Sequence, residues 1–489
     1  MDKLEYVGDY KIVGAEIITS ENLLHDIAKS ILSIDFFEDI ENGAVMGEMY
    51  LSDSFALDTI GPLIGQEYLS LSIRTPTISD SDPANSIHFG SYTGVFKWAP
   101  FQIYHFVGRQ NFGNKGQAYF LKFITSEFVQ NSRTLVSKTY TGSYSDIVQN
   151  ILKKDIKTPK ECYIEPSVGN KKIIAPNISP FDVIQMAKRE SISAYNNSPT
   201  YFFYETKAGY YFRSVESMAA EGTVQDYTTF PAGSKYCDGL EKTAQEYSKI
   251  IGFNIVNDND TLMHQQTGTF SSKTITHDIY NKRYDTTTYN YHKQFEKESH
   301  MNQYSVLDEF PAFSPSPVDW EERTISDFPV KTYYMPVSHK QPYEKLDGSY
   351  LSKSGKPIYQ STKPTEYMGR RTSRMMQLKA GREVVITVPG RCDVSAGQMV
   401  NIEMPIKAIA DVDKRKMDRF FDGPFLIKRV RHNFVTGPKP THTMYLNCIK
   451  DCTNENFAGE DYFMGGVGLS TGDDLGVTTD FYNEVGDVD

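Results

Sequence analysis

The chain has 489 residues, 39% of them apolar and 13% aromatic, enough for cores in about three domains and too much for global disorder. Its net charge of −11, from 51 basic and 62 acidic side chains, opposes free binding to DNA or to an anionic membrane surface. Met1-Asp2-Lys3-Leu4-Glu5 has no apolar signal core and no apolar run nears the roughly 18 residues of a membrane helix, so a soluble chain made in the cytoplasm is expected.

Residues 1–140 read mostly as strands. Leu32, Ile34 and Phe36 alternate with Ser33 and Asp35, and Leu69, Leu71 and Ile73 alternate with Ser70, Ser72 and Arg74. Between them Val45, Met49 and Leu51 share one face. Asn42-Gly43 predicts a type I′ hairpin turn, because both of its central positions want positive φ. Further strands fit Ile103–Val107 and Tyr119–Ile124, while Leu23, Leu24 and Ile27 space a short helix over Ser20–Ser30. The stretch predicts a first β-barrel.

At Thr141-Gly142 the pattern changes. Ser143 with Asp146 resembles a capping box, followed by Ile147, Val148, Ile151 and Leu152 at helical spacing. Ser179-Pro180 places an N-cap before a proline, and Phe181, Ile184 and Ala187 form that helix's apolar stripe. Tyr201–Tyr204 and Tyr210–Phe212 read as aromatic strands of a hairpin turning at Lys207-Ala208-Gly209. Residues 141–220 thus predict a small α/β insert.

Strand character returns at Ile250–Ile255 and Phe270–Ile275. Residues 301–366, rich in Pro, Ser and Tyr, read as a long extended insertion of the kind that contacts a partner. Tyr367–Leu378 predicts a basic helix carrying Arg370, Arg371 and Arg374. Four strands follow: Val384, Ile386 and Val388; Val400, Ile402 and Met404; Phe425–Val430; and Met444, Leu446 and Cys448. With residues 221–300, residues 367–453 predict a second β-barrel. Residues 454–489 form an acidic, Gly-rich tail without a basic residue. The expected fold class is mainly β (α+β).

No grouping along the chain calls for a cofactor or a metal. Cys448 and Cys452 make a C-x3-C pair with no second pair, and five scattered cysteines suit buried or free thiols in a reducing compartment. Asp258-Asn259-Asp260 opens like a calcium loop, but Met263 stands where the loop needs glycine and Thr269 where it needs glutamate. His432 and His442 flank a turn without a carboxylate at ligand spacing, which predicts surface or packing histidines. Nucleotide-binding and acyl-transfer signatures are missing. The arginines of the basic helix fit phosphate, a neighbouring chain's acids or a solvated face, and the aromatic hairpin fits a sugar platform or sheet core.

Several stretches, taken in order, resemble the central baseplate hub proteins of contractile-tailed (myovirus) phages, relatives of the hub part of type VI secretion spikes. Phe37-Glu38-Asp39-Ile40, Gly47–Leu51, Ser52-Asp53-Ser54 and Ile64-Gly65-Gln66-Glu67 are similar to that family's opening barrel. Arg109–Gln117, Tyr140-Thr141-Gly142-Ser143 and Ser145-Asp146-Ile147-Val148 resemble its passage into the insert, and Ile178–Asp182 with Phe203-Tyr204-Glu205-Thr206 the insert itself. Val388-Pro389-Gly390, Gly397-Gln398 and Gly423-Pro424-Phe425 resemble the closing barrel. The resemblance covers most of residues 30–450. It implies two tail-tube-like antiparallel β-barrels per chain and a homotrimer forming a pseudo-sixfold ring. Such a ring joins the sixfold tail tube to the threefold central spike, contacts neighbouring baseplate proteins and passes DNA as cargo through a channel. The implied protein is a non-enzymatic virion component assembled in the host cytoplasm. A tail-associated peptidoglycan hydrolase and a carbohydrate-binding adhesin are the alternatives.

Overall fold

Alternating apolar and polar residues build the first half of the molecule. The computed structural model describes residues 6–19, 23–57, 63–75, 86–89, 101–112, 116–230, 242–257, 260–279, 282–302, 304–305, 324–337, 363–405 and 417–453. The first strands are β1 (Lys11–Ile18), β2 (Leu24–Asp26), β3 (Ile31–Asp39) and β4 (Met46–Asp53). They are followed by β5 (Tyr68–Arg74), β6 (Ser86–Phe89), β7 (Phe101–Phe112) and β8 (Gly116–Thr125). They pair antiparallel in the order β3-β4-β8-β7-β5-β1-β2, with β6 beside β5. Ile34, Phe36, Met49, Leu51, Leu71, Ile73, Leu121 and Phe123 are buried on the inner face. Burying one such side chain contributes about 1.5–3 kcal/mol, so this face holds the half together.

Three local expectations fail here, each for a physical reason. A register shift between Ile31 and Ser33 inserts a bulge, which buries Ile31 and turns Leu32 outward. Neither Asn42 nor Gly43 takes positive φ, and the β3–β4 connection runs through Ile40–Val45 rather than a two-residue turn. Gly43 is small for packing instead, because a Cβ there would lie 2.7 Å from the Phe203 ring of the insert. Within Ser20–Ser30, residues 24–26 form β2 rather than a helix, its backbone paired with Glu16–Ile18 of β1, while residues 20–22 lie outside the described residues. Backbone bonds to an open sheet edge outweigh three apolar residues at helical spacing.

The insert follows its caps. It contains β9 (Thr139–Gly142), β10 (Glu161–Ile164), β11 (Lys171–Ile174), β12 (Tyr201–Thr206) and β13 (Gly209–Ser214). Ser143 Oγ accepts from Asp146 N at 3.1 Å and Asp146 Oδ2 accepts from Ser143 N at 3.1 Å, starting the helix Tyr144–Asn150. That helix runs on as a π-helical turn, Ile151–Ile156. Ser179 caps the helix Pro180–Glu190. Both helices pack Ile147, Val148, Val183, Ile184 and Ala187 against Tyr201, Phe203 and Phe212 of the sheet β10-β13-β12.

Beyond the insert come β14 (Thr223–Thr228), β15 (Gly252–Asn257), β16 (Ser271–Asp278), β17 (Arg283–Asn290), β18 (Tyr304–Ser305) and β19 (Lys331–Val337). The helix Pro364–Ala380 leads to β20 (Arg382–Pro389), β21 (Met399–Glu403), β22 (Gly423–Val435), β23 (Thr441–Lys450) and β24 (Cys452–Thr453). β15-β20-β23-β22 continues directly into β3, so one sheet crosses both halves. β16 lies outside it, between β17 and β19 in a separate three-stranded sheet that takes β19 from the long insertion. The rest of 301–366 falls largely outside the described residues, as does the tail after Thr453. The fold is mainly β, as expected, but a closed barrel is not what the described residues form. Among the described residues the main strand path runs from β15 to β2 without either pairing further, β14 lies beside β21, and the bridge Thr228 to Lys249 links the end of β14 to the segment ahead of β15.

Candidate functional site at the seam and the free edges of the sheet

β22 is the strand on which the two halves meet. Gly423–Ile402 and the following pairs up to Leu426–Met399 place β21 on one edge of its start. From Arg429 to Val435 the strand pairs with Asp39–Ser33 of β3, while β23 takes its other edge from Leu426 to Val435. The switch falls at a bulge between Ile427 and Arg429. On the outer face Arg431 makes a two-bond contact with Asp35 at 3.0 and 3.2 Å, and Asn433 adds a bond to the same carboxylate at 2.8 Å. The Arg431 guanidinium also lies 5.8 Å from the Phe37 ring and 5.3 Å from the Tyr445 ring. Arg429 reaches Asp39 at 2.6 Å. These half-exposed pairs contribute little stability, about 1 kcal/mol or less each, but the paired geometry holds the register of the seam.

The inner face of the seam carries a buried histidine pair. His432 Nδ1 and His442 Nε2 are 3.1 Å apart, and the Phe434 ring stacks on His442 with centroids 4.0 Å apart. His442 N donates to Gly8 O at 2.7 Å, and Gly390 N donates to His442 O at 2.8 Å. A Cβ at Gly390 would sit 2.0 Å from the His442 ring, so only glycine fits. Burial and the nearby Lys207 push His442 down to about 3, and burial with the neighbouring His442 and Lys207 pushes His432 well below its ordinary value. Both rings are therefore neutral at pH 7.

Buried charges tie the insert to both halves. Glu38 of β3 accepts from Lys207 N at 3.1 Å and Ala396 N at 2.9 Å, and Lys207 Nζ donates to the Cys392 and Val394 carbonyls. Lys160 lies between Glu127, at 2.7 Å, and Glu205, at 2.5 Å. Glu205 also accepts from Val45 N at 3.1 Å and Thr125 Oγ1 at 2.8 Å, bonding the insert to the first half. Burial works against the Lys160 ammonium, but the two carboxylates hold it above its ordinary value. Arg374, on the helix Pro364–Ala380, pairs with the buried Asp451 and lies 3.4 Å from Glu216, with Ser299 O accepting at 3.1 Å. Burial would raise the Asp451 carboxyl, yet the guanidinium and His300 hold it far below the usual range.

The two ends of the sheet are exposed. No described strand pairs with the outer edge of β15, where Ile255 is 46% exposed and Val256 52%. The same holds for β2 at the opposite end, where Leu24 is 51% exposed. An apolar, unpaired edge invites another strand. Beside β2 a cavity of about 420 Å³ is lined by Ile27, Leu51, Leu57 and Tyr119. The Asp53 carboxylate at its wall is filled by Phe55 N at 2.8 Å, Leu57 N at 2.7 Å and Tyr119 Oη at 3.2 Å.

The residues singled out from the sequence resolve as follows. Asp258 and Asn259 lie outside the described residues, while Asp260 accepts from Met263 N at 2.8 Å and caps the helix Thr261–Thr267. Cys448 and Cys452 are buried free thiols, and among the described residues no group of three His, Cys, Asp or Glu could hold a metal. His432 and His442 are packed inside. Arg374 is buried rather than on a solvated face, because Asp451 and Glu216 neutralise it. The aromatics Tyr201–Tyr204, Tyr210 and Phe212 are buried sheet core, which removes them as a sugar platform. Among the described residues no helix is long and apolar enough to cross a membrane. The seam had one signal in the sequence: beyond Ile427, Val430, His432 and Phe434 alternate with Arg429, Arg431 and Asn433, which extends the strand past Val430.

No family model matches the chain, and no curated protein matches it. Solved structures do. A 43 kDa tail protein of prophage MuSo2 from Shewanella oneidensis is similar at 6% identity, with a TM-score of 0.45 and coverage of 90% of this chain and 99% of that one. A tail protein from Neisseria meningitidis MC58 is similar at 10% identity, with a TM-score of 0.44 and coverage of 90% and 97%. A component of the type VI secretion system of E. coli is similar at 9% identity, with a TM-score of 0.39 and coverage of 90% and 76%.

Proposed function

We propose that this chain is a structural, non-enzymatic hub of a contractile phage tail baseplate. Three copies form a ring in which each contributes two sheet units, so that a threefold assembly presents a quasi-sixfold outline. The ring fits the sixfold tail tube on one side and the threefold central spike on the other, holds neighbouring baseplate proteins around it and leaves a channel for DNA. It is a part of the virion tail, assembled in the host cytoplasm.

The observation that supports this reading is the β22–β3 seam. Within one chain it joins two β units edge to edge, the operation that neighbouring subunits of a ring repeat. Among the described residues β15 and β2 stand at opposite ends of the main strand path, and both bear exposed apolar side chains. Pairing β15 of one copy with β2 of the next is a head-to-tail contact that closes when the rotation per copy divides a full turn.

Light scattering on the purified chain, with negative-stain images of the same sample, tests the reading. The expected result is three times the 55.5 kDa chain mass and rings with a central hole. A monomer both alone and with the spike and tube proteins of the same phage would refute it.

A further inference from the structure

The buried lysine of the insert is set up for chemistry with one of its two acids. Lys160 stands just ahead of β10, Glu205 lies on β12 and Glu127 on the helix Ser126–Arg133. All three side chains are nine-tenths or more buried, Glu205 completely. The Tyr210 ring lies 5.7 Å from the ammonium, with Phe181 and Phe203 beside it. One ammonium balances only one of the two carboxylates. Burial raises the Glu205 carboxyl, opposed by Lys160 and aided by the Glu127 charge. The neutral arrangement is therefore a Lys160 ammonium, a Glu127 carboxylate and a protonated Glu205.

The two oxygens of Glu205 are held differently. Oε2 accepts from Val45 N at 3.1 Å and from Thr125 Oγ1 at 2.8 Å, whereas Oε1 faces Lys160 Nζ at 2.5 Å. The two donors polarise the carboxyl and are placed to stabilise negative charge on Oε2, as an oxyanion hole does. A nitrogen at that distance from Oε1 is roughly 3–3.5 Å from the carboxyl carbon, the spacing of a near-attack arrangement. Glu127 is fixed against the same nitrogen: its Oε2 is 2.7 Å from Nζ, and its Oε1 accepts from Thr158 Oγ1 at 2.8 Å. An amine, a polarised carboxyl and a carboxylate base meet around one nitrogen.

We propose that Lys160 and Glu205 condense to an intramolecular amide bond, with Glu127 as the acid–base group. Glu127 takes one proton from the ammonium, and the free amine attacks Cδ of Glu205. The Nζ–Cδ bond forms, the Cδ–Oε1 bond breaks, and a second proton from the nitrogen joins the Oε1 hydroxyl, which leaves as water. Glu127 keeps the first proton, so the buried ion pair is replaced by neutral groups. Burial favours that exchange, because charges are costly away from water and an amide is not charged. No oxidant is needed, which suits a chain whose described cysteines are free thiols. The bond joins residues 45 positions apart and ties the start of β10 to the end of β12. It goes beyond the hub reading and stands whether or not the chain trimerises.

The mass of the denatured full chain, with tryptic mapping of the same sample, tests it. The expected wild-type chain is lighter than its sequence by one water molecule. Trypsin leaves the chain uncut after Lys160, and one branched peptide carries Lys160 joined to Glu205. Lys160→Arg restores the full sequence mass, and a water still missing from that variant overturns the assignment. Glu127→Gln keeps the size of the side chain, removes the base and lowers the bonded fraction at an early time point by roughly tenfold or more. An unchanged fraction overturns the role of Glu127. Full sequence mass in the wild-type chain with cleavage after Lys160, or a lost water placed at other residues, overturns the bond itself. Both of those results are read on the wild-type chain, independently of whether a variant folds.

Discussion

His432 and His442 occupy the inside of the seam as neutral rings, with Lys207 near both and the Tyr10 ring 6.5 Å from His442. Their depressed affinity for protons means that the unfolded chain binds more protons than the folded one below the ordinary histidine value of about 6.5. Stability contributed by the pair is therefore complete above about pH 6.5 and is lost as pH falls toward 3. At pH 4.5 the loss for His442 is about 2.7 kcal/mol, two pH units at 1.36 kcal/mol each. Urea midpoints at pH 7.5 and 4.5 check this: His442→Gln loses about 2–3 kcal/mol less than wild type between the two, and equal losses would remove the assignment. Arg374 makes a second test at this scale. Arg374→Gln leaves Asp451 buried without its partner and costs about 3–5 kcal/mol, seen as a large fall in Tm. Arg370→Gln, at a partly exposed pair, costs about 1 kcal/mol. Similar falls in both would contradict the buried arrangement. The difference between these neighbouring arginines was illegible in the sequence, where both stand in one basic run, because it depends on Asp451 arriving from 77 residues away.

At the scale of elements, local patterns identified what was local. Ser143 and Ser179 cap the helices they were expected to cap, since a cap needs only three neighbouring residues. The Asn42-Gly43 turn failed because packing of Gly43 against Phe203, 160 residues on, outweighed turn preference. Leu32 failed because one bulge reverses every side chain beyond it. Lys160 shows how an element is anchored once it forms. Lys160→Met leaves Glu127 and Glu205 facing each other without a cation, costing about 3–5 kcal/mol in chemical denaturation. Adding Glu205→Gln removes one of the stranded charges and recovers part of that loss. No recovery would show that packing, rather than charge, sets the cost.

For the whole molecule the decisive contact joins residues about 400 positions apart, Arg431 with Asp35 across β22 and β3. Among the described residues one sheet runs through both halves, with β15 and β2 at opposite ends of its main path. Ile255→Lys places a charge on the β15 edge, where Ile255 is already partly exposed, so the folded chain keeps its circular dichroism and its Tm within about 0.5 kcal/mol. In the proposed ring the same charge opposes strand addition, so the expected light-scattering result is a lower mass for the variant than for the wild-type chain. An equal mass for the two would remove the β15 edge from the proposed interface.

The sequence alone determined that the protein is mainly β and where most strands and the insert's helices begin. Those properties follow from alternation, capping and composition, which act over a few residues. Only the tertiary structure decided that β22 leaves β21 for β3, that two histidines close the seam from inside and that Arg374 is buried. Each of these is fixed by backbone bonds or charges from distant parts of the chain, whose meeting no local pattern encodes.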